Sequence, residues 1–305
     1  MKSPSAITIS ILLTMSAMAA AQGTNFCQIT AQDALTSCRK KAESSFWNVQ
    51  GTCANLTDPN ARQGCLDLGN SNYQSNLLSC QSQLESRQLV CARIGGGAYN
   101  PQINPADFTT NIDNPYSPFK PGTIWLYAGP TSDGYQQNTT EVTFNTKVID
   151  GVTCVEVHDR VYINEALAED TLDWYAQDKQ GNVWYFGEDS EELDNGRVTT
   201  LGGSWMAGMN GAKPGIIMLA QPVVGQYYRQ EFQLNTAEDV AGIIRLNQTV
   251  IVPAGTFGDL VETEEITGLE PGALEHKYYA KGVGNVLTID EVTGDFFPLV
   301  LVTAN

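Results

Sequence analysis

The chain has 305 residues and a formal net charge of −17, from 34 acidic and 17 basic side chains. A surface of that sign repels phosphate backbones, so the composition argues against nucleic acid as a partner. Scattered carboxylates of this kind are typical of a solvated surface rather than of a dedicated cation site.

Residues 1–21 have the pattern of a secretory signal peptide. Lys2 supplies the positive charge, an apolar run extends from Ile7 to Met18, and three alanines end at Ala21,. We expect cleavage after Ala21 without lipid attachment, because no cysteine stands at the cleavage point. No later apolar run approaches the roughly 18 residues that a membrane-spanning helix needs, so we expect no transmembrane segment. The predicted location is secreted or periplasmic.

Residues 22–97 carry six cysteines whose spacing is palindromic. They are Cys27, Cys38, Cys53, Cys65, Cys80 and Cys91, separated by 11, 15, 12, 15 and 11 residues. Pairs taken from the outside inwards share the midpoint Pro59, and steps of 11 or 15 keep each cysteine near one helix face. The spacing therefore predicts an antiparallel helical hairpin with nested disulfides Cys27–Cys91, Cys38–Cys80 and Cys53–Cys65, formed in an oxidising compartment.

Metal binding is the alternative use of these six cysteines. The segment contains no histidine and no C-x-x-C pair, so disulfides are favoured and no metal is expected,.

The rest of the chain divides into a connector and a β domain. Residues 98–122 are rich in proline, asparagine and aspartate and predict an extended connector accessible to proteases,. Residues 123–305 contain many short candidate strands separated by turn residues, including the hairpin signal Asp150-Gly151,. This density predicts an antiparallel barrel, half-barrel or sandwich. The expected fold class is α+β, with the stapled helical hairpin preceding a mainly antiparallel β domain.

Three phrases of the β domain carry a family resemblance. They are NPYSPFKPGTIWLY at residues 114–127, VPAGTF at residues 252–257 and EHKYYAKGVG at residues 275–284. These phrases resemble those of exported bacterial proteins, and the chain is similar to the LolA/LppX-like periplasmic half-barrel proteins. The resemblance covers roughly residues 111–302, outside the cysteine hairpin, and implies a curved sheet around an apolar groove. The chain departs from the pattern at Ser117, where an aromatic residue is usual, and at Lys281, which replaces proline.

Aromatic residues on several predicted strands are the candidate ligand site. Residues of the same parity on a curled sheet line one concave wall, as Trp125 with Tyr127 and Trp184 with Phe186 would. Aromatic concavity suits an apolar or glycan ligand, whereas the alternative is that these side chains fill the core. The predicted ligand-binding residues are Trp125, Tyr127, Trp184, Phe186, Trp205 and Tyr278.

Catalytic signals are weak throughout the β domain. His158 and His276 lie far apart, without a metal-ligand pattern,. Asp173 and Glu188 flank a predicted hairpin and could form a carboxylate pair for glycoside hydrolysis. Cys154 is the seventh cysteine and is either a buried small residue or an intermolecular partner. We predict no catalytic residue and no cofactor.

The sequence therefore favours a non-enzymatic exported protein that binds a lipid-like or other apolar small molecule. In that hypothesis the hairpin is a capping module or a contact for a protein partner. Two alternatives stay open: an extracellular hydrolase or lyase acting on a polysaccharide through concave-face carboxylates, and a structural or adhesive surface protein.

Overall fold

The computed structural model describes residues 23–303. The protein is α+β, as predicted: two disulfide-linked helices precede a nearly closed antiparallel barrel. The predicted signal peptide, residues 1–21, lies outside the described residues. Among residues 23–303, no helix has the length and apolar character needed to cross a membrane.

The helical hairpin consists of α1 (Phe26–Ala54) and α2 (Pro59–Ile94). Asp58 caps α2 by accepting hydrogen bonds from the backbone N–H groups of Asn60 and Ala61, both at 2.8 Å,. Pro59 follows at the first helical position, where its missing N–H costs nothing,.

The predicted disulfide pairing is confirmed. The structure joins Cys27 to Cys91, Cys38 to Cys80 and Cys53 to Cys65, with Cα–Cα distances of 5.6 to 5.7 Å. A core this thin buries little apolar surface, so covalent cross-links supply much of its stability.

Sixteen strands form one antiparallel sheet in the described residues. They are β1 (Phe108–Thr109), β2 (Ile124–Thr131), β3 (Gly134–Ile149), β4 (Val152–Ile163), β5 (Ala166–Asp178), β6 (Val183–Asp194), β7 (Arg197–Thr200), β8 (Trp205–Met206), β9 (Lys213–Met218), β10 (Tyr227–Arg229), β11 (Glu231–Phe232), β12 (Val240–Val252), β13 (Gly255–Ile266), β14 (Glu275–Ala280), β15 (Gly284–Asp290) and β16 (Phe296–Thr303). The strand order runs from β10 through β12 to β16, then through β2 to β6, and ends at β9 and β11.

One short segment brings the two edges of this sheet together. β10 pairs with β12 and β11 pairs with β9, although Gln230 alone separates β10 from β11. Gly215 of β9 lies directly against this segment: a Cβ there would be 2.3 Å from the carbonyl carbon of Gln230. Glycine is needed at the seam because any side chain would push the edges apart.

The second half of the connector plugs one end of the barrel. The side-chain N–H groups of Asn114 donate to the carbonyls of Gly181 and Leu219, and Gln177 accepts from the backbone of residues 113 and 114. The Gly282 N–H donates to the carbonyl of Pro115 at 2.7 Å. The asparagines and prolines that suggested an exposed linker therefore tie residues 108–122 to the hairpin turns at this end.

The base of the helical hairpin packs on the outside of the barrel. Arg87 forms a buried ion pair with Glu238, and Gln83 donates to the carbonyl of Leu269. Farther along α2, Arg93 pairs with Glu264 at 3.3 Å. From Cys80 to Pro59, α2 extends for about 30 Å at the usual helical rise.

Candidate functional site

A floor of stacked aromatic rings closes the plugged end of the barrel. Phe119 of the connector lies 4.7 Å from Tyr175 and 6.1 Å from Trp125, measured between ring centroids. Tyr175 stacks on Tyr185 at 4.7 Å, and Tyr185 meets Trp205 edge to face at 5.3 Å. Rings at such distances stabilise one another beyond their burial. We call these five residues the aromatic floor.

A cavity of about 340 Å³ begins at the aromatic floor and extends toward the opposite end of the barrel. Its apolar wall includes Tyr127, Ile217 and Phe297, and its polar side chains include Asn138, Thr140, Asp159 and Lys277. Tyr127 stacks on Phe297 at 6.0 Å and donates its hydroxyl to the carbonyl of Asn285. The wall is thus fixed before any ligand arrives, as in preformed small-molecule sites.

Carboxylates from several strands surround the lumen. Register pairs Asp173 with Glu188 across β5 and β6, and Glu265 with Glu275 across β13 and β14. Lys277 is the lysine beside them, with its ammonium 2.7 Å from Glu265 and 3.3 Å from Glu275. Asp159 lines the first cavity, and a second cavity that shares Glu275 with it is lined by Glu231, Asp239, Glu265, Glu270 and Asp290. Together with Asp173 and Glu188, these residues are called the lumen set.

This acidic lumen shifts the proton affinity of its own side chains. Burial raises the pKa of Asp159 to about 6 and that of Glu188 to about 7,. Burial, with the Glu188 charge next, holds the pKa of Asp173 well above its usual value, even though the Tyr185 hydroxyl donates to Asp173 at 2.5 Å. The fold therefore encloses carboxyl groups that lose their protons at a higher pH than exposed carboxyl groups do.

The lumen nevertheless remains open to solvent. Asp239 is exposed, and Asp159 and Glu188 are half-buried, although all three belong to the lumen set. A second cavity of about 330 Å³ adjoins the first at Glu275 and Lys277. In residues 23–303, no group of three or more His, Cys, Asp or Glu side chains is placed to hold a metal ion.

Three of the six predicted ligand residues lie at the cavity or its floor. Trp125 and Tyr127 of β2 line the cavity, and Trp125 donates its indole N–H to the carbonyl of Val283 at 2.7 Å. Trp205 pairs with Glu188 in register and belongs to the aromatic floor.

The other three predicted ligand residues lie on the outside of the barrel. Trp184 and Phe186 pack against Phe108 of β1, at 6.1 and 5.3 Å. Their neighbour Tyr185 is the inward residue, and an irregularity in the β5–β6 pairing leaves Phe186 outside the ladder,. Tyr278 faces outward because the residues on either side of it line the cavity, and its hydroxyl donates to Glu262.

Both histidines lie beside carboxylates outside the lumen. His158 lies 2.6 Å from Asp170, and His276 lies 3.1 Å from Glu291. Cys154 is fully buried, and burial raises the pKa of its thiol to about 12. That thiol stays protonated and unreactive in the folded barrel.

Sequence reasoning overlooked the polar half of the site. Asp159 and Lys277 sit in strands where polar residues alternate with apolar ones, a pattern normally read as a solvent-facing side,. In a closed barrel the same alternation can point polar side chains into the lumen. Pairing of Thr140 with Asp159 across the β3–β4 hairpin was the available clue.

Comparisons with known proteins give a limited picture. No protein-family profile and no curated protein matches the chain. Among solved structures, the chain is similar to a "putative lipoprotein" from Parabacteroides distasonis, with 11% sequence identity and a TM-score of 0.34. That likeness covers 62% of this chain and 98% of the other, and no inference is drawn from it.

Proposed function

We propose that the protein is an exported, non-enzymatic binding protein whose barrel holds one small amphipathic molecule. The observation that carries the proposal is the cavity of about 340 Å³, which has an aromatic wall on one side and hydrogen-bonding side chains on the other. Cavities of this size and mixed lining are typical of small-molecule sites. Three disulfides support folding in an oxidising compartment, and in this proposal that compartment is the periplasm or the cell exterior,.

The ligand would lie with its apolar part along Tyr127, Ile217 and Phe297. Each methylene removed from water contributes about 0.8 kcal/mol, so a short chain suffices for micromolar affinity after the cost of association. The polar end of the ligand would reach Asn138 and Thr140. The lipid-like ligand expected from sequence is thereby narrowed to one that carries a polar group.

The family resemblance is part of this proposal. Residues 114–127 run from the plug into β2, and residues 252–257 form the turn between β12 and β13. A LolA/LppX-like relationship would therefore rest on the segments that build the plug and the barrel rim. Such a relationship agrees with the proposal that the barrel holds a ligand in its lumen.

The hairpin is assigned the role of a capping or interaction module. Trp47, Leu68 and Leu78 are more than 60% exposed on its surface. Exposed apolar side chains on a disulfide-linked hairpin are available to a protein partner. A structural or adhesive surface protein would use the same side chains for its contacts.

A neutral fluorescent probe tests the proposal. N-phenyl-1-naphthylamine should gain intensity with the delipidated protein and quench Trp emission. Asn138→Trp fills the cavity. It should lower the affinity for the probe at least about tenfold, because contact with the aromatic wall is lost. Asn145→Trp, at an exposed position on the same strand, is the matched control and should bind like wild type.

Native mass spectrometry of the purified protein supplies the second measurement. A retained small molecule supports the proposal. The proposal fails if no small molecule is retained and N-phenyl-1-naphthylamine does not bind.

A polysaccharide hydrolase is the second candidate, because Asp173 and Glu188 face each other with raised pKa values. A carboxyl group that stays protonated near neutral pH can act as a general acid. Release of reducing sugar from an exported polysaccharide, abolished by Glu188→Gln, would favour this candidate. Unchanged polysaccharide would leave the binding protein as the proposal.

A further inference from the structure

We propose that the molecule held in the barrel is an organic cation, with its ammonium group at Asp159 and its apolar part along Tyr127 and Phe297. This inference rests on the proposed function and names the chemical class of the ligand. It depends on the hydrogen bonds of Asp159, the charge of the lumen and the aromatic wall beside it.

Asp159 carries an acceptor that no side chain satisfies. Its Oδ2 accepts a hydrogen bond from the Thr140 hydroxyl at 3.0 Å, whereas its Oδ1 is buried and has no hydrogen-bond partner within the described residues. The carboxylate nevertheless lines the cavity of about 340 Å³. A carboxylate with one unsatisfied buried oxygen is poorly stabilised, so a positive charge placed in the cavity beside Asp159 would stabilise it electrostatically.

The lysine of the lumen cannot complete the site. The Lys277 ammonium is already paired with Glu265 at 2.7 Å and with Glu275 at 3.3 Å. Its positive charge is therefore shared by two other carboxylates, and Asp159 retains an uncompensated negative charge. The positive charge that would compensate Asp159 can therefore come from the ligand.

The charge of the lumen selects the sign of that ligand. Glu275 lines the same cavity as Asp159, and Glu231, Asp239 and Glu265 line the adjoining cavity. A low-dielectric wall lined by one sign of charge concentrates ions of the opposite sign and repels those of the same sign. The carboxylates are spread over many strands and, in residues 23–303, do not converge in a metal cluster. A large organic cation fits this distribution better than a metal ion.

The aromatic wall suits an ammonium group for a second reason. Tyr127 and Phe297 are stacked beside the cavity, and aromatic faces attract cations through their negative quadrupole,. Tyr127, Phe297 and Asp159 line the same cavity. A carboxylate beside aromatic faces is a combination that recognises alkylammonium compounds and not their anionic counterparts.

The test uses three decyl compounds that differ in their head group: decyltrimethylammonium, decyl maltoside and decyl sulfate. Isothermal titration calorimetry would be run at low salt, below the concentrations at which these compounds form micelles. We expect the cation to bind at least about tenfold more tightly than the maltoside, and the sulfate to bind most weakly. Added salt should reduce the preference for the cation.

Two variants locate the preference. Asp159→Asn keeps the shape of the side chain. It should lower the affinity for decyltrimethylammonium at least about tenfold and leave the affinity for decyl maltoside unchanged. Asp189→Asn removes an exposed carboxylate from strand β6 and should leave all three affinities within about twofold of wild type,. If Asp159→Asn does not fold, the order of the three compounds on the wild-type protein still decides the inference.

Each outcome separates this inference from the proposed function. Equal binding of the ammonium compound and the maltoside, or tighter binding of the sulfate, overturns the cation inference and leaves a binding protein. An unchanged ammonium affinity in a folded Asp159→Asn protein also overturns it. Failure of all three compounds to bind counts against the proposed function itself.

Discussion

Arg87 is the residue on which the junction between the hairpin and the barrel depends. Its guanidinium donates from Nε and Nη2 to the two carboxylate oxygens of Glu238, each at 2.8 Å, and Nη2 also reaches Asn235. Both charged side chains are about 95% buried. A bidentate pair in such an environment fixes the relative position of its two elements more strongly than any exposed pair.

Removal of Arg87 should destabilise the protein strongly. Arg87→Ala leaves Glu238 buried without a cation, and we expect a loss of about 3–5 kcal/mol in the free energy of unfolding. Urea unfolding followed by Trp fluorescence measures this loss. Lys40→Ala removes the exposed pair with Glu43 and serves as the control, with an expected loss below about 1 kcal/mol,. Similar losses for the two variants would show that the buried pair has no special role.

This pair could not be predicted from the sequence. Arg87 and Glu238 are 151 residues apart, and neither stands in a recognisable motif. Arg87 belongs to a helix in which Arg62, Asp67 and Glu85 face solvent. Only the packing of α2 against the barrel distinguishes it from them.

The helical hairpin is the element that the sequence predicted most fully. Periodicity is a local property, so equal spacings about Pro59 determined both the antiparallel arrangement and the disulfide pairs. The plug was less predictable, because residues 108–122 obtain their shape from hydrogen bonds to distant strands. The orientation of β6 was also hidden, since alternation groups Trp184 with Phe186 but does not show that Tyr185 between them is the inward residue,.

The innermost disulfide should stabilise the hairpin tip without affecting the barrel. Cys53–Cys65 closes a short loop, with a separation of 12 residues, and its loss costs about 3 kcal/mol in a chain-entropy account,. In the double variant Cys53→Ser/Cys65→Ser, hydrogen exchange should therefore accelerate around residues 50–68. The barrel amides should exchange as in wild type.

The outermost disulfide provides the comparison for that experiment. Cys27–Cys91 lies near the part of α2 that contacts the barrel, so its removal should also accelerate exchange near Arg87 and Glu238. Faster exchange throughout the barrel in the tip variant would mean that the hairpin transmits its stability over its whole length.

At the scale of the whole molecule, the barrel encloses polar side chains beside its apolar core. The aromatic residues chosen from sequence are divided between the cavity, its floor and the outer face of the sheet, where Phe186 is buried against Phe108, because alternation indicates two faces without identifying the lumen. Closure of the sheet through residues 227–232 then decides which face is enclosed. The enclosed carboxylates are a large part of the proposed binding chemistry, and their positions follow from that closure.

The enclosed carboxylates also predict how stability depends on pH. Burial raises the pKa of Asp159 to about 6 and that of Glu188 to about 7, so between roughly pH 4 and pH 7 the folded chain binds more protons than the unfolded chain,. Stability must therefore fall as pH rises through this range. We expect the melting temperature to be about 4–8 °C higher at pH 5 than at pH 8, equivalent to about 2 kcal/mol.

Glu188→Gln provides the decisive variant for this pH dependence. Removal of the lumen charge should raise the melting temperature at pH 8 and reduce the difference between pH 5 and pH 8. Asp189→Asn, its exposed neighbour on β6, should leave that difference as in wild type. Differential scanning calorimetry at both pH values measures the effect. A wild-type stability that increases from pH 5 to pH 8 would show that the lumen carboxylates are not strained in the folded barrel.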